Sequence, residues 1–132
     1  MGSFRPADVV GTWTLEAFDI ESPQGEVKPW GRNAQGLLIY ADTGHMSVSI
    51  NKAVEMDPDQ SEAENLFDSI LFYSGTYQLD GAIIRHQVTN ASNPSRIGRE
   101  MIRYAALAGT LLTLTTPQES FGKAILKWRK IK

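Results

Sequence analysis

At 132 residues and 14.6 kDa the chain is sized for a single domain spanning residues 1–132, large enough to bury about two-thirds of its unfolded surface without covalent staples. Its 42% hydrophobic and 21% charged content is ordinary for a globular protein, and the absence of cysteine excludes disulfides and thiolate chemistry. Net charge is only −2, but residues 1–80 hold 13 acidic and 4 basic side chains whereas residues 81–132 hold 2 and 9.

No run is long and apolar enough for a membrane span, and no leader-like apolar stretch stands near the start, so a cytoplasmic location is expected. Gly11 to Ile20 alternates with period two, Trp13, Leu15 and Ala17 sharing one face. Phe18 and Ile20 fall on the other face, which points to a bulge or to a contact outside the strand's main face. Ser22-Pro23-Gln24-Gly25 is a turn by composition. Glu26 to Gly31, broken by Pro29, reads as an edge or irregular segment. Gly36 to Tyr40 and His45 to Ile50 then form a hairpin around Ala41-Asp42-Thr43-Gly44, with Leu38, Tyr40, Met46, Val48 and Ile50 facing inward.

Ser61-Glu62-Ala63-Glu64 has the capping-box form and precedes Leu66, Phe67, Ile70 and Leu71 at helical spacing. The spacing predicts one amphipathic helix of about three turns, from near Asp59 to Leu71, with its apolar stripe against the strands. Further strands follow. Tyr73, Gly75, Tyr77 and Leu79 face in; Asp80-Gly81 turns the chain; Ile84, His86 and Val88 face in again. Met101, Arg103, Ala105 and Leu107, then Leu112 and Leu114, then Leu126, Trp128 and Lys130 complete the inner set. About eight to nine antiparallel strands with one short α-helix on or across them make an all-β, up-and-down closed β-barrel, which at that size is filled or holds one small ligand.

Gly11-Thr12-Trp13, Gln35-Gly36-Leu37-Leu38-Ile39-Tyr40, Gly44-His45-Met46-Ser47-Val48, Gly75-Thr76-Tyr77, His86, Asn93-Pro94, Arg103-Tyr104 and Leu112-Thr113-Leu114 occur in an order and spacing that resembles the bacterial and fungal lipocalin-like domain family. The resemblance runs from Gly11 to Trp128 and implies a calycin-type barrel. It also implies closure by Trp13 on the first strand against a basic residue on the last, where Lys130 stands in place of the usual arginine. Some similar domains accompany natural-product pathways, so the resemblance extends to small-molecule or secondary metabolism.

Tyr40, Met46, Tyr73, Tyr77, His86, Arg103 and Trp128 are the candidate ligand-binding residues. Rings and apolar chains with a few polar groups are the usual lining of a small-molecule site. Arg103 and His86 would anchor an anionic or carbonyl group while the rings hold an apolar body. Two alternatives stay open: an isomerase- or cyclase-type enzyme with His86 as acid or base, and a filled barrel in which these polar groups satisfy one another. No cofactor is expected, and two histidines without a nearby carboxylate argue against a metal. Arg85, Arg96, Arg99, Lys127 and Arg129 read as solvated exterior charges rather than a nucleic-acid surface. The expected partner is one small hydrophobic or aromatic ligand, with no nucleic acid and no membrane, on a monomer or homodimer.

Overall fold

A computed structural model describes residues 4–131. Helix α1 (Pro6–Val9) leads into β1 (Gly11–Glu21), and β2 (Val27–Pro29) pairs back on its far end. The hairpin β3 (Gln35–Tyr40) and β4 (His45–Asn51) precedes helix α2 (Glu62–Asp68). The rest is a meander of β5 (Ile70–Asp80), β6 (Ile83–Ala91), β7 (Glu100–Ala108), β8 (Leu111–Thr115) and β9 (Lys123–Ile131), with a 3₁₀ turn at Pro94–Arg96. Strand β1 pairs with β3, each strand from β3 onward pairs antiparallel with the next, and β9 returns to β1. Eight strands therefore close into a barrel, with β2 as an added short strand. Closure leaves no long unpaired edge.

Alternation accounts for the core. Leu38, Tyr40, Met46, Val48 and Ile50 are buried on β3 and β4, and so are Leu112, Leu114, Leu126 and Trp128 on β8 and β9. Strand β1 breaks its phase once. Its register against β9 shifts between Leu15 and Ala17, so Phe18 turns inward and is 8% exposed. A bulge adds a residue to one strand and re-aims the side chains that follow, which explains why Phe18 and Ile20 fall out of phase in the sequence.

A second irregularity lies between Ser74 and Gly75 on β5. A Cβ at Gly75 would sit 1.8 Å from the Gln87 carbonyl oxygen, so only glycine lets the two strands approach this closely. Gly75→Ala is expected to force them apart and to cost about 1–3 kcal/mol, as overpacking does. Urea unfolding of the variant measures it.

The barrel's two ends differ. Tight turns join β3 to β4, β5 to β6 and β7 to β8 at one end, where α1 also lies. Trp13, fully buried, plugs this end; its Nε1 donates to the Val9 carbonyl at 3.0 Å, and Lys130 Nζ lies 5.4 Å from its ring centroid. Gly11 makes room for that lysine: with φ +144° it carries no side chain where a Cβ would meet Lys130 Cε at 2.9 Å. The longer connections gather at the other end. The chain between β4 and β5, the 3₁₀ segment and the segment between β8 and β9 surround it.

Helix α2 corrects the sequence reading. It runs Glu62–Asp68 rather than Asp59 to Leu71 and leaves Leu66 and Phe67 about half exposed, with Ile70 exposed at the start of β5. The capping box forms as expected, Ser61 and Glu64 each accepting from the other's backbone N–H. The end comes early because Ser69 Oγ donates to the Leu66 carbonyl and Ile70 pairs with Asn51, pulling the chain into β5. The buried helix residue is Asn65, whose amide bonds the Asp57 backbone at both its oxygen and its nitrogen. The helix is therefore held to the preceding loop by polar contacts and does not seat an apolar stripe on the barrel.

Candidate functional site

A cavity of about 620 Å³ occupies the open half of the barrel. Its walls are built from alternate residues of the strands: Leu38 and Val48 from the hairpin, Leu114 from β8, Ala124, Leu126 and Trp128 from β9. The bulge in β1 adds Phe18 and Ile20. Phe18 stacks on Trp30 with ring centroids 4.7 Å apart and planes 9° from parallel, and Lys52 Nζ lies 4.4 Å from the Trp30 ring centroid. That stack forms one side of the mouth. Phe121, half exposed, and the loop arginines Arg96 and Arg99 also line the cavity.

Glu100, Glu119 and Thr116 line it as well, together with His86, Tyr73 and Arg103. His86, 2% exposed, is bonded at both ring nitrogens: Nε2 to the Tyr40 hydroxyl at 2.6 Å and Nδ1 to the Tyr73 hydroxyl at 2.7 Å. Burial, and secondarily the positive charge of Arg103, lowers its pKa to about 3, so the ring is neutral near pH 7. Burial also raises the hydroxyl of Tyr40 well above the ordinary phenol value and raises those of Tyr73 and Tyr77; for Tyr73 the Arg103 charge partly offsets this. All three phenols are neutral. Arg103, half-buried, donates from Nη1 to the Ile102 carbonyl at 2.8 Å and makes no ion pair with a carboxylate among the described residues. Trp128 is 1% exposed, and its Nε1 is a buried donor with no partner among the described residues. Among the described residues no three His, Asp or Glu stand close enough together to hold a metal.

Of the residues singled out from the sequence, Tyr73, His86, Arg103 and Trp128 line this cavity. Tyr40, Met46 and Tyr77 do not. Tyr40 and Met46 are buried toward the plugged end, where the rings of Tyr40 and Tyr77 lie 4.7 Å apart and the Tyr77 hydroxyl donates to the Ala41 carbonyl at 2.9 Å. They are inside the barrel but beneath the cavity. Trp13 and Lys130 form the closure described above.

Arg96 and Arg99 correct the reading of the basic side chains as exterior charge. They line the cavity, as does Glu100, which also pairs with Arg85; Arg85 is shared with Asp80, and Arg129 pairs with Glu16. The signal available in the sequence was the pair's position around Ile97-Gly98 in the loop just ahead of Arg103, which alternation places inside.

An eight-stranded up-and-down barrel, plugged by a tryptophan at one end and hollow at the other, is a calycin-type barrel. The chain belongs to the lipocalin-like domain family, whose model matches residues 10–131. Among solved structures it is similar to a redesigned β-barrel, at 11% identity over 96% of this chain and 95% of that one with a TM-score of 0.50. It is also similar to a mutant of the fluorescent protein UnaG, at 15% identity over 97% and 99% of the two chains with a TM-score of 0.46. No curated protein matches it in sequence. At these identities the structural likeness concerns the fold.

Proposed function

We propose that the barrel binds one small apolar or aromatic molecule bearing an anionic or carbonyl group, with the apolar body in the cavity and the polar group near Arg103. The observation that carries this reading is the cavity of about 620 Å³ itself, within the usual range for small-molecule pockets and lined mainly by apolar and aromatic side chains, with arginines, glutamates and His86 among them. Arg103, without a carboxylate ion pair among the described residues, and Arg96 and Arg99 outnumber the Glu100 and Glu119 carboxylates in the lining, so the net charge facing an incoming anion is positive. Exterior Arg85 and Arg129 are already paired with acids, which supports a small-molecule rather than a nucleic-acid partner. The absence of cysteine fits a cytoplasmic protein, and the family resemblance suggests a place in small-molecule metabolism.

Titration of intrinsic tryptophan fluorescence with 2-naphthoate tests the reading, since Trp30 and Trp128 line the cavity. Saturable binding is expected, weakened about tenfold or more by Arg103→Ala, the scale of a lost charge-assisted hydrogen bond. Tyr77→Phe, below the cavity, is expected to leave it unchanged. Binding that Arg103→Ala leaves intact contradicts the anchoring role.

The enzymatic reading, with His86 as acid or base, is disfavoured by geometry. Both ring nitrogens are occupied by tyrosine hydroxyls, so the imidazole holds partners rather than offering a free nitrogen to a substrate.

A further inference from the structure

The two hydroxyls on His86 have different surroundings, and that difference fixes the direction of their hydrogen bonds. A neutral imidazole has one N–H donor and one bare nitrogen acceptor, so one tyrosine donates to the ring and the other accepts from it. Tyr40 is 1% exposed and does not line the cavity, and among the described residues its hydroxyl has one partner, His86 Nε2. A buried hydroxyl is normally satisfied, and Tyr40 satisfies its proton by giving it to Nε2. Nε2 is then the bare nitrogen, and Nδ1 carries the hydrogen and donates it to the Tyr73 oxygen. Tyr73 cannot return its own proton to the ring. Tyr73 is itself only 3% exposed, but unlike Tyr40 its side chain lines the cavity, so a ligand there is the partner its O–H can reach.

We infer that the cavity presents to its ligand the Tyr73 O–H, its direction fixed by the Tyr40–His86 relay, and so favours at that point molecules ending in an acceptor, a carboxylate or a neutral carbonyl. The Arg103 guanidinium adds a second donor, since arginine has no acceptor, while the Glu100 and Glu119 carboxylates elsewhere in the lining are the cavity's charged acceptors. Tyr40 and His86 are positioning residues here: they touch Tyr73 or one another and set which way its proton points. This inference rests on the cavity's being a ligand site and sharpens what enters it. It also separates the neutral carbonyl from the merely anionic, because the Tyr73 donor is uncharged.

Two measurements test it. The first needs no ligand: ¹⁵N-detected imidazole NMR on the whole protein, with His45 distinguished by His45→Gln. The expected result is His86 protonated at Nδ1 and bare at Nε2; protonation at Nε2 overturns the inference. The second compares 2-naphthoate, 2-acetonaphthone, naphthalene and 2-naphthylmethylamine by calorimetry on the native protein and on Tyr73→Phe. Both acceptor-ended probes are expected to bind tighter than naphthalene, and Tyr73→Phe is expected to shrink the acetonaphthone preference about tenfold while leaving naphthalene and the ammonium unchanged. If naphthalene binds but acceptor ends bring no advantage, the cavity reading survives and the donor assignment is wrong. Should no probe bind, the cavity reading itself fails, and the imidazole tautomer alone decides the direction of the relay.

Discussion

Replacing Trp13 by alanine is expected to lower the unfolding free energy by about 3–5 kcal/mol, the range for truncating a large buried aromatic. That is a large share of the roughly 5–15 kcal/mol by which a domain is stable. Three effects combine at this position. The fully buried ring is lost from the plugged end, the Val9 carbonyl loses its donor, and Lys130 loses the ring near which its ammonium sits. Lys130→Met separates the last of these. It keeps an apolar stem and is expected to cost only about 0.5–2 kcal/mol, the size of a cation–π contact. Urea unfolding with an unchanged denaturant slope measures both. A Trp13→Ala loss below about 1 kcal/mol would mean that the tight turns and α1 close this end without it.

Acidification is expected to weaken the fold through His86. Its folded pKa, about 3, lies below the unfolded value of about 6.5. Below pH 6.5 the unfolded chain therefore binds the proton that the folded chain refuses, and stability falls as pH falls. The contribution is fully present above about pH 6.5 and lost progressively as pH drops toward 3. At about 1.36 kcal/mol per pH unit the loss is roughly 2 kcal/mol by pH 5 and about 4 kcal/mol by pH 3. His86→Gln keeps polar atoms beside Tyr40 and Tyr73 but does not titrate. Its stability curve, subtracted from that of the native protein, isolates the histidine; identical slopes for the two proteins between pH 6.5 and 3 would refute the assignment.

Period-two alternation carries much of the fold. It puts His86, Leu112, Leu114 and Trp128 on the inner face because successive strand residues point to opposite sides of the sheet. It says nothing about height along the barrel axis, which depends on strand stagger and tilt. Tyr40, Met46 and Tyr77 therefore look equivalent to Tyr73 in the sequence yet lie below the cavity. Phe18 and Ile20 show the limit of the pattern from the other side, since one bulge swaps their faces and the sequence signals only a loss of phase. Helix α2 fails differently. Its apolar spacing is genuine, but Ile70 and Leu71 are claimed by β5 through pairing with β4, and strand pairing outweighs the local helical pattern. Arg96 and Arg99 sit in a loop, where no periodicity tells inside from outside.

The chemistry of the site was legible as composition and not as geometry. Tyrosine, histidine and arginine on inner faces announce a polar group within an apolar barrel. That both nitrogens of one histidine are taken by two tyrosines emerges only once register and stagger bring β3, β5 and β6 together.

The measurement that bears most directly on the barrel as an internal small-molecule site is calorimetric titration with 2-naphthoate at several temperatures, on the native protein and on Ala124→Phe. Ala124 is 7% exposed and lines the cavity, so a phenyl group there occupies the ligand's space. The native protein is expected to bind one molecule per chain with a negative heat-capacity change, the mark of apolar burial, and the folded Ala124→Phe variant to bind none. Binding of equal strength and stoichiometry to both proteins would place the ligand outside the barrel and contradict the account.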